Sequence, residues 1–439
     1  MKIKMKKATI ISLSIMLCQA ATAQQQQQQM GVADCMRYAV EHNHDVRISQ
    51  LTQDSRRADL TAAIGAFLPA VNGQIGAQYN FGRAIDPETN TYTNVSTFYN
   101  GYSVSASLPV FDGFQRLNQL RAAKAALQMG RSQMQARQDE LALQVFEAYC
   151  NVLYYKGTYA MAGEKRQADS LTLRQTQVMC EVGQKSEADV AQMEAQLAAD
   201  EYETSRQEGA LSTAWLTLKQ LMAWPENENF SLLDIEDDER HTGGEWVTEH
   251  HPGIEAAMQN VAVSRHQLSV SRGALFPSLS LGAGISTSYN KMLHTPAAAF
   301  HEQMKNNRGE YIYATLSIPI FNRLQTLTDI RRQRNNLRIA EEQLAQKHDE
   351  LTKLQLQAAN DCEGYEKQTL QMRHKVEADS LAYQLTLRKY EEGLSSGIDV
   401  QTTSATLLAS KAQLLQCRLM WALKQKLVNY YKGISLWTE

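Results

Sequence analysis

The chain is written twice, and that duplication limits the folds open to it. Ala106-Ser107-Leu108-Pro109-Val110-Phe111-Asp112 returns 210 residues later as Leu316-Ser317-Ile318-Pro319-Ile320-Phe321-Asn322. Ala168-Asp169-Ser170-Leu171 returns as Ala378-Asp379-Ser380-Leu381, and Gly183 and Asp189-Val190 return as Gly393 and Asp399-Val400. Near the start of each half the offset is 208, with Glu41-His42 matching Glu249-His250 and Pro69 matching Pro277. A collinear series of this kind marks two copies of one structural unit. The expected division is a first repeat over 34–223, a linker over 224–246, a second repeat over 247–432 and a tail over 433–439.

Each copy reads as helix, strand, loop, strand, very long helix, tight turn, helix. A helix is expected over about Asp34 to Ala66 and a strand over Ala70 to Gly82. In that strand Val71, Ile75, Ala77, Tyr79 and Phe81 alternate with Asn72, Gln74, Gln78 and Asn80, the period of a sheet with one apolar face. A polar loop leads to a second strand over about Tyr99 to Val110, where Tyr102, Val104, Ala106 and Leu108 oppose Ser103, Ser105 and Ser107. The second copy repeats this at Leu279, Leu281, Ala283, Ile285 and at Ile312, Ala314, Leu316, Ile318. Strands of about ten residues are long enough to cross a bilayer when tilted. Their other faces carry serine, glycine and amides, as the lining of a channel would. Tyr79, Phe81, Tyr99, Tyr102, Phe111, Tyr289, Tyr311 and Phe321 lie toward strand ends, where an aromatic girdle is expected. The competing reading is a soluble sheet with one wet face.

Four strands cannot close a barrel, since the smallest membrane barrels have about eight. An open edge in lipid leaves backbone groups unpaired. Three copies would give twelve strands, so the barrel reading requires a homotrimer. From Asp112 to about Glu181 and from Asn322 to Glu392 there is no proline. Each run, if helical, is roughly 105 Å long at about 1.5 Å per residue and needs partners along its length. A heptad seam supplies them through Leu141, Val145, Ala148, Val152, Tyr155, Tyr159 and Ala162, and through Leu337, Leu344, Leu351, Ala358, Tyr365 and Met372.

The N-terminus sets the compartment. Lys2, Lys4, Lys6 and Lys7 precede an apolar stretch from Ala8 to Leu17 and the small residues Ala21-Thr22-Ala23, the pattern of a secretory signal peptide over 1–23. Cys18 follows Leu17 rather than a small residue and is removed with the peptide, so no lipid anchor is expected. Gln24 to Gln29 opens a glutamine-rich leader, 24–33, expected to be disordered. Cleavage leaves 40 basic against 47 acidic side chains, which does not suit nucleic acid. The remaining Cys35, Cys150, Cys180, Cys362 and Cys417 are odd in number and widely spaced, so neither a disulfide framework nor a zinc site is expected. His42-Asn43-His44 and Glu249-His250-His251 look like metal fragments, but no carboxylate or cysteine stands at ligand spacing. No catalytic motif, cofactor site or metal site is read from the chain.

The sharpest local motif is the pair of turns that end the long helices. Gly183 and Gly393 suit the left-handed residue that closes a helix. Ser186 and Ser396 suit the cap of the next helix, with Asp189 and Asp399 three residues on, a capping box with Asp in the usual place of Glu.

The doubled layout resembles the TolC-like outer-membrane efflux protein family. The residues that carry the likeness are Phe67-Leu68-Pro69 and Phe276-Pro277 before the strands, the Pro-[Val/Ile]-Phe exits at Pro109 and Pro319, and the paired Gly-x-x-Ser-x-x-Asp-Val tips. The resemblance implies an α+β membrane protein of the bacterial outer membrane. It implies a trimeric twelve-stranded barrel, four strands per chain, continued by a periplasmic α-helical tunnel. It also implies a periplasmic adaptor docked on the tips at Gly183, Ser186, Gly393 and Ser396, an inner-membrane pump of RND, ABC or MFS type behind it, and outer-membrane lipid around the barrel. By the same likeness Tyr390, Asp189 and Asp399 fall at the periplasmic gate, and Thr402 stands where a second acid can occur. The segment from Trp224 to Trp246, with Glu236-Asp237-Asp238-Glu239, takes the place of an equatorial belt. The expected function is the exit channel of a tripartite efflux or type I secretion system. The alternatives are a periplasmic coiled-coil scaffold and a narrow uptake porin.

Overall fold

The computed structural model describes residues 29–85, 90–94, 96–235, 246–292 and 296–437. The expected signal peptide, most of the leader and the Glu236–Glu239 run lie outside them. The described chain forms two compact units. Of the described residues, one unit holds those within 51–133 and 252–348, and the other those within 29–50, 134–251 and 349–437.

The first unit contains the sheet. Strands β2 (Ala70–Asn80), β5 (Thr97–Phe111), β7 (Ser278–Met292) and β8 (Gly309–Ser317) pair antiparallel in that order. The register aligns Val71, Ala106, Ala283 and Ile312 across one face, and Asn72, Ser105, Gly284 and Tyr311 across the other. The alternation read from the sequence is therefore in phase over all four strands. On the apolar face Ile75, Val104, Ile285, Ile312 and Leu316 stay exposed. On the polar face Tyr313 lies over Gly282 and Tyr311 over Gly284. A Cβ at Gly282 would fall 2.2 Å from a ring atom of Tyr313, and one at Gly284 2.6 Å from a ring atom of Tyr311. Glycine in these strands is thus the space into which a ring folds. This corrects the aromatic girdle, because Tyr99 and Tyr311 sit on the polar face while Tyr79, Tyr102 and Tyr289 sit on the apolar one.

Between β7 and β8 the expected plain loop holds a short helix, Phe300–Asn306. β8 begins opposite Ser286, so the outer part of β7 pairs with β5 on one side and, among the described residues, has no strand on the other. The Gln303 carboxamide takes that place: its oxygen accepts from Asn290 N at 2.8 Å and its nitrogen donates to Asn290 O at 2.9 Å. A side chain here satisfies backbone groups that a strand would otherwise pair. Among the described residues two small strand pairs are also formed: β3 (Arg83–Ile85) with β4 (Tyr92–Asn94), and β1 (Gln29–Met30) parallel to β6 (Ser231–Leu232). The end of the leader is therefore ordered, held by the linker strand and by Met30, which is buried.

The helices are α1 (Val32–His42), α2 (His44–Gly65), α3 (Gln115–Glu181), α4 (Glu187–Met222), α5 (Pro252–Gly273), α6 (Phe300–Asn306), α7 (Gln325–Glu391) and α8 (Gly397–Tyr431). The single first helix expected from the sequence is broken at Asn43. Its backbone is extended, its side-chain oxygen accepts from Asp45 N at 2.7 Å, and its amide donates to Leu221 O at 2.8 Å. Both strand-to-helix corners use two consecutive left-handed residues, Gly113-Phe114 and Arg323-Leu324. Only Gly113 needs to be glycine for space, since a Cβ there would lie 2.3 Å from Gly273 O.

The second unit buries its core around α3, where Val145, Phe146, Tyr149 and Val152 meet Cys35 and Met36 of α1, Leu218 and Met222 of α4, and Phe230. Tyr149 donates to Leu233 O at 2.5 Å, tying the linker into this core. The seam holds unequally in the two copies. Leu141, Val145, Ala148, Val152 and Ala162 are buried on α3. On α7 only Leu351 and Ala358 of the expected seam are buried, while Leu354, Leu356, Leu370, Leu381 and Leu385 are exposed. The five cysteines expected after cleavage are all unpaired. No described helix is long and apolar enough to cross a membrane.

Candidate functional site: the paired helix tips

Gly183 and Gly393 close α3 and α7 with φ of +77° and +76°. Their amides bond Cys180 O and Tyr390 O at 3.0 Å each, and the next residues, Gln184 and Leu394, bond Met179 O and Lys389 O at 2.8 Å and 2.7 Å. These bonds satisfy carbonyls that every helix end leaves open. The capping boxes are formed in both tips. Ser186 Oγ accepts from Asp189 N at 3.2 Å, while Asp189 Oδ2 accepts from Ser186 N at 2.9 Å and from its hydroxyl at 2.8 Å. Ser396 and Asp399 repeat this at 3.2 Å, 3.0 Å and 2.8 Å, and Ser395 adds a bond of 3.0 Å to the same carboxylate. Ser186 donors hold the Asp189 carboxyl, and Ser396 and Ser395 donors the Asp399 carboxyl, below the usual range. Both folded values are lowered, so the caps are fully present above the ordinary carboxylate range. They are lost only as pH falls through the depressed values.

Tyr390 is the large buried ring of the site, 2% exposed. Its hydroxyl lies 2.8 Å from Thr176 Oγ1 of α3. Thr176 donates its own proton to Thr172 O at 2.8 Å, so Tyr390 is the donor in that bond. Lys185 Nζ sits 4.5 Å from the Tyr390 ring centroid. Met193 of α4 packs beside Gly397, where a Cβ would meet its Cε at 2.9 Å. The ring therefore joins both tips of one chain. No sequence signal marks this contact, because Thr176 is 214 residues away and carries no motif. Thr402, in the place of a second acid, donates back to Ile398 O at 2.8 Å. Around the tips Val182, Leu394 and Ile398 expose apolar side chains, with Leu394 at 74%.

His42 stacks on Tyr38 at 4.0 Å between ring centroids, and His251 packs against Tyr430 and Tyr431. Among the described residues no three His, Cys, Asp or Glu side chains are placed to hold a metal.

A four-stranded sheet with one apolar face and, among the described residues, bare edges, in a chain whose long helices end in capped apolar tips, defines the class of outer-membrane channel proteins. The family model of the outer membrane efflux proteins matches residues 36–223 and 247–427, and the chain belongs to that family. It is a family of outer-membrane exit channels rather than enzymes. Among curated proteins, the outer membrane efflux protein BepC of Brucella suis is 22% identical over 349 residues, 79% of this chain and 74% of that protein. The pyoverdine export outer membrane protein OpmQ of Pseudomonas aeruginosa is 24% identical over 397 residues, covering 87% and 80%. Among solved structures, CusC shares the fold with a TM-score of 0.80 at 16% identity, covering 92% of each chain.

Proposed function

We propose that three copies of this chain close a twelve-stranded barrel in the outer membrane and continue it as a helical duct through the periplasm. The tips then receive a periplasmic adaptor that couples the duct to an inner-membrane pump of RND, ABC or MFS type. The observation that carries this reading is the sheet itself. Among the described residues neither β2 nor β8 has a partner on its outer side. Unpaired backbone of that length is not tolerated in lipid. The exposed leucines of α7 point the same way, toward neighbours from other copies. The exposed apolar tips suit a docking partner. The cargo is a small molecule or a polypeptide, and the name of OpmQ supports the small-molecule end of that range.

The test is assembly and conduction. Light scattering of the detergent complex, corrected for bound detergent, should count three chains, and the complex should conduct in planar bilayers. A stable folded monomer in detergent would overturn the reading and favour a periplasmic scaffold.

The gate carries a further expectation. Three Asp399 carboxylates around a threefold axis would attract cations to the duct mouth. Asp399→Asn should then lower cation selectivity, read as a smaller reversal potential in a salt gradient. If Asp399 only caps α8, the reversal potential stays as in the wild type.

A further inference from the structure

The duplication supplies an internal control for one buried charge cluster. Lys165 and Asp169 on α3 occupy the same repeat positions as Lys375 and Asp379 on α7. Each lysine reaches its aspartate one turn on, at 2.8 Å and 2.6 Å. The facing helices differ. Across the first hairpin α4 supplies Asp200, and across the second α8 supplies Ser410 at the matching position. In the second hairpin the neutral Ser410 stands where Asp200 does, its hydroxyl donating to Leu407 O at 3.0 Å, and Lys375 is half exposed, so one cation meets one anion. In the first hairpin Lys165 Nζ also lies 2.5 Å from Asp200 Oδ1, so one cation meets two anions. Lys165, Asp169 and Asp200 have side chains only 10%, 10% and 8% exposed.

Among the described residues no second cation lies within ion-pair distance of Asp169 or Asp200. Gln196 donates to Asp200 Oδ1 at 2.9 Å, while Asp200 Oδ2 is buried with no hydrogen-bond partner in the structure. Further along α4, Glu203 is already paired with Arg206 at 2.6 Å and bonded by Gln207. From α7 comes the Tyr383 hydroxyl, pushed up by burial and by Asp169. From α8 come Ser404 and Lys411, which with Lys165 line a cavity of about 180 Å³. A second cavity of about 410 Å³ between α3, α4 and α8 reaches Lys165 and Asp200 and offers solvent a way in. A buried excess carboxylate is costly, and the common resolution is that one group of the pair takes up a proton. Burial first, and the Asp200 carboxyl second, push the Asp169 carboxyl up to about 6 despite the pull of Lys165. The shared titration belongs to the pair rather than to one residue. In the second hairpin Lys375 and then Ser410 push Asp379 the other way, down.

We propose that Lys165, Asp169 and Asp200 form a proton-binding site, the proton held between the two carboxylates, which tightens α3 against α4 and α8 in mildly acid medium and loosens them in neutral medium. The proton comes from water and returns to it, and no other reactant is needed. The site lies within one chain and does not depend on how many copies assemble. The sign follows from the raised folded value. The contribution is complete below the ordinary carboxylate value of 3.8 and is lost as pH rises through about 6. The second hairpin has no such response.

The experiment uses the full-length protein in detergent. Infrared titration should show a protonated carboxyl band disappearing with a midpoint near 6. Hydrogen exchange in the α3 and α4 peptides around Asp169 and Asp200, corrected for intrinsic rates, should be slower on the acid side by roughly tenfold. Asp200→Ser, which copies the second hairpin, should move the midpoint down into the ordinary carboxylate range or below and abolish the exchange difference. Asp379→Asn should change neither. Should Asp200→Ser fail to fold, Asp169→Asn removes the other carboxylate and makes the same forecast. A wild-type protein with no group titrating above the ordinary range, or an unchanged midpoint in the variants, overturns the proposal.

Discussion

Replacing Tyr390 by alanine is expected to raise the conductance of the purified duct in planar bilayers several-fold. The ring is almost fully buried and joins the two tips through Thr176 and Lys185. Removing it deletes the ring's packing and leaves a cavity, a loss of about 3–5 kcal/mol for a large aromatic side chain in a core. If the tips border a periplasmic entrance, losing this brace should widen it. Tyr390→Phe separates packing from hydrogen bonding. It leaves the ring and removes one donor, while Thr176 keeps its own bond to Thr172 O. That loss is about 1 kcal/mol. Phenylalanine should therefore give a conductance between wild type and alanine, and Thr176→Val should resemble it. Conductance of the alanine variant equal to wild type, with the trimer intact, would show that Tyr390 braces a hairpin and does not hold an entrance shut.

Cysteines placed at Ala77 and Ala314 together are expected to give covalent trimers on oxidation, all or nearly all of the protein running at three times its mass without reductant. The pairing follows from the duplication. Inside one chain the second strand of the first repeat meets the first strand of the second, with Val104 opposite Ile285 and Ala106 opposite Ala283. If copies join as the repeats do, β8 of one chain meets β2 of the next. The repeat offsets then carry Val104 onto Ala314 and Ile285 onto Ala77. Both alanines lie on the apolar face, so the transferred register keeps the faces in phase, as strand pairing with one buried face requires. Directly opposed residues have Cβ atoms about 4.5–5.5 Å apart, near enough for a disulfide after a small adjustment. The native Cys35 and Cys150 do not compete, because burial pushes their thiols up to about 12. Either cysteine alone should not produce the ladder. A pair shifted by one residue, Ala77 with Thr315, should link poorly. Efficient linking of the shifted pair would break the repeat-derived register.

The features legible in the sequence are local or repeated. Alternation of one apolar residue in two fixed the four long strands and their two faces, because side chains in a strand point alternately. Proline-free runs ending in glycine fixed the two 67-residue helices. The capping boxes at Ser186–Asp189 and Ser396–Asp399 were legible because donor and acceptor are three residues apart and need no distant partner. The structure alone decided everything that depends on a remote group. The break at Asn43 needs Leu221 O, and the helix at Phe300–Asn306 needs the edge that β8 leaves bare on β7. The place of Tyr390 between the tips needs Thr176, and the excess charge at Lys165 needs Asp200 on the facing helix. Periodicity and capping are set along the chain, whereas burial and charge balance are set by which segments pack together, and that is fixed only when the helices and strands meet.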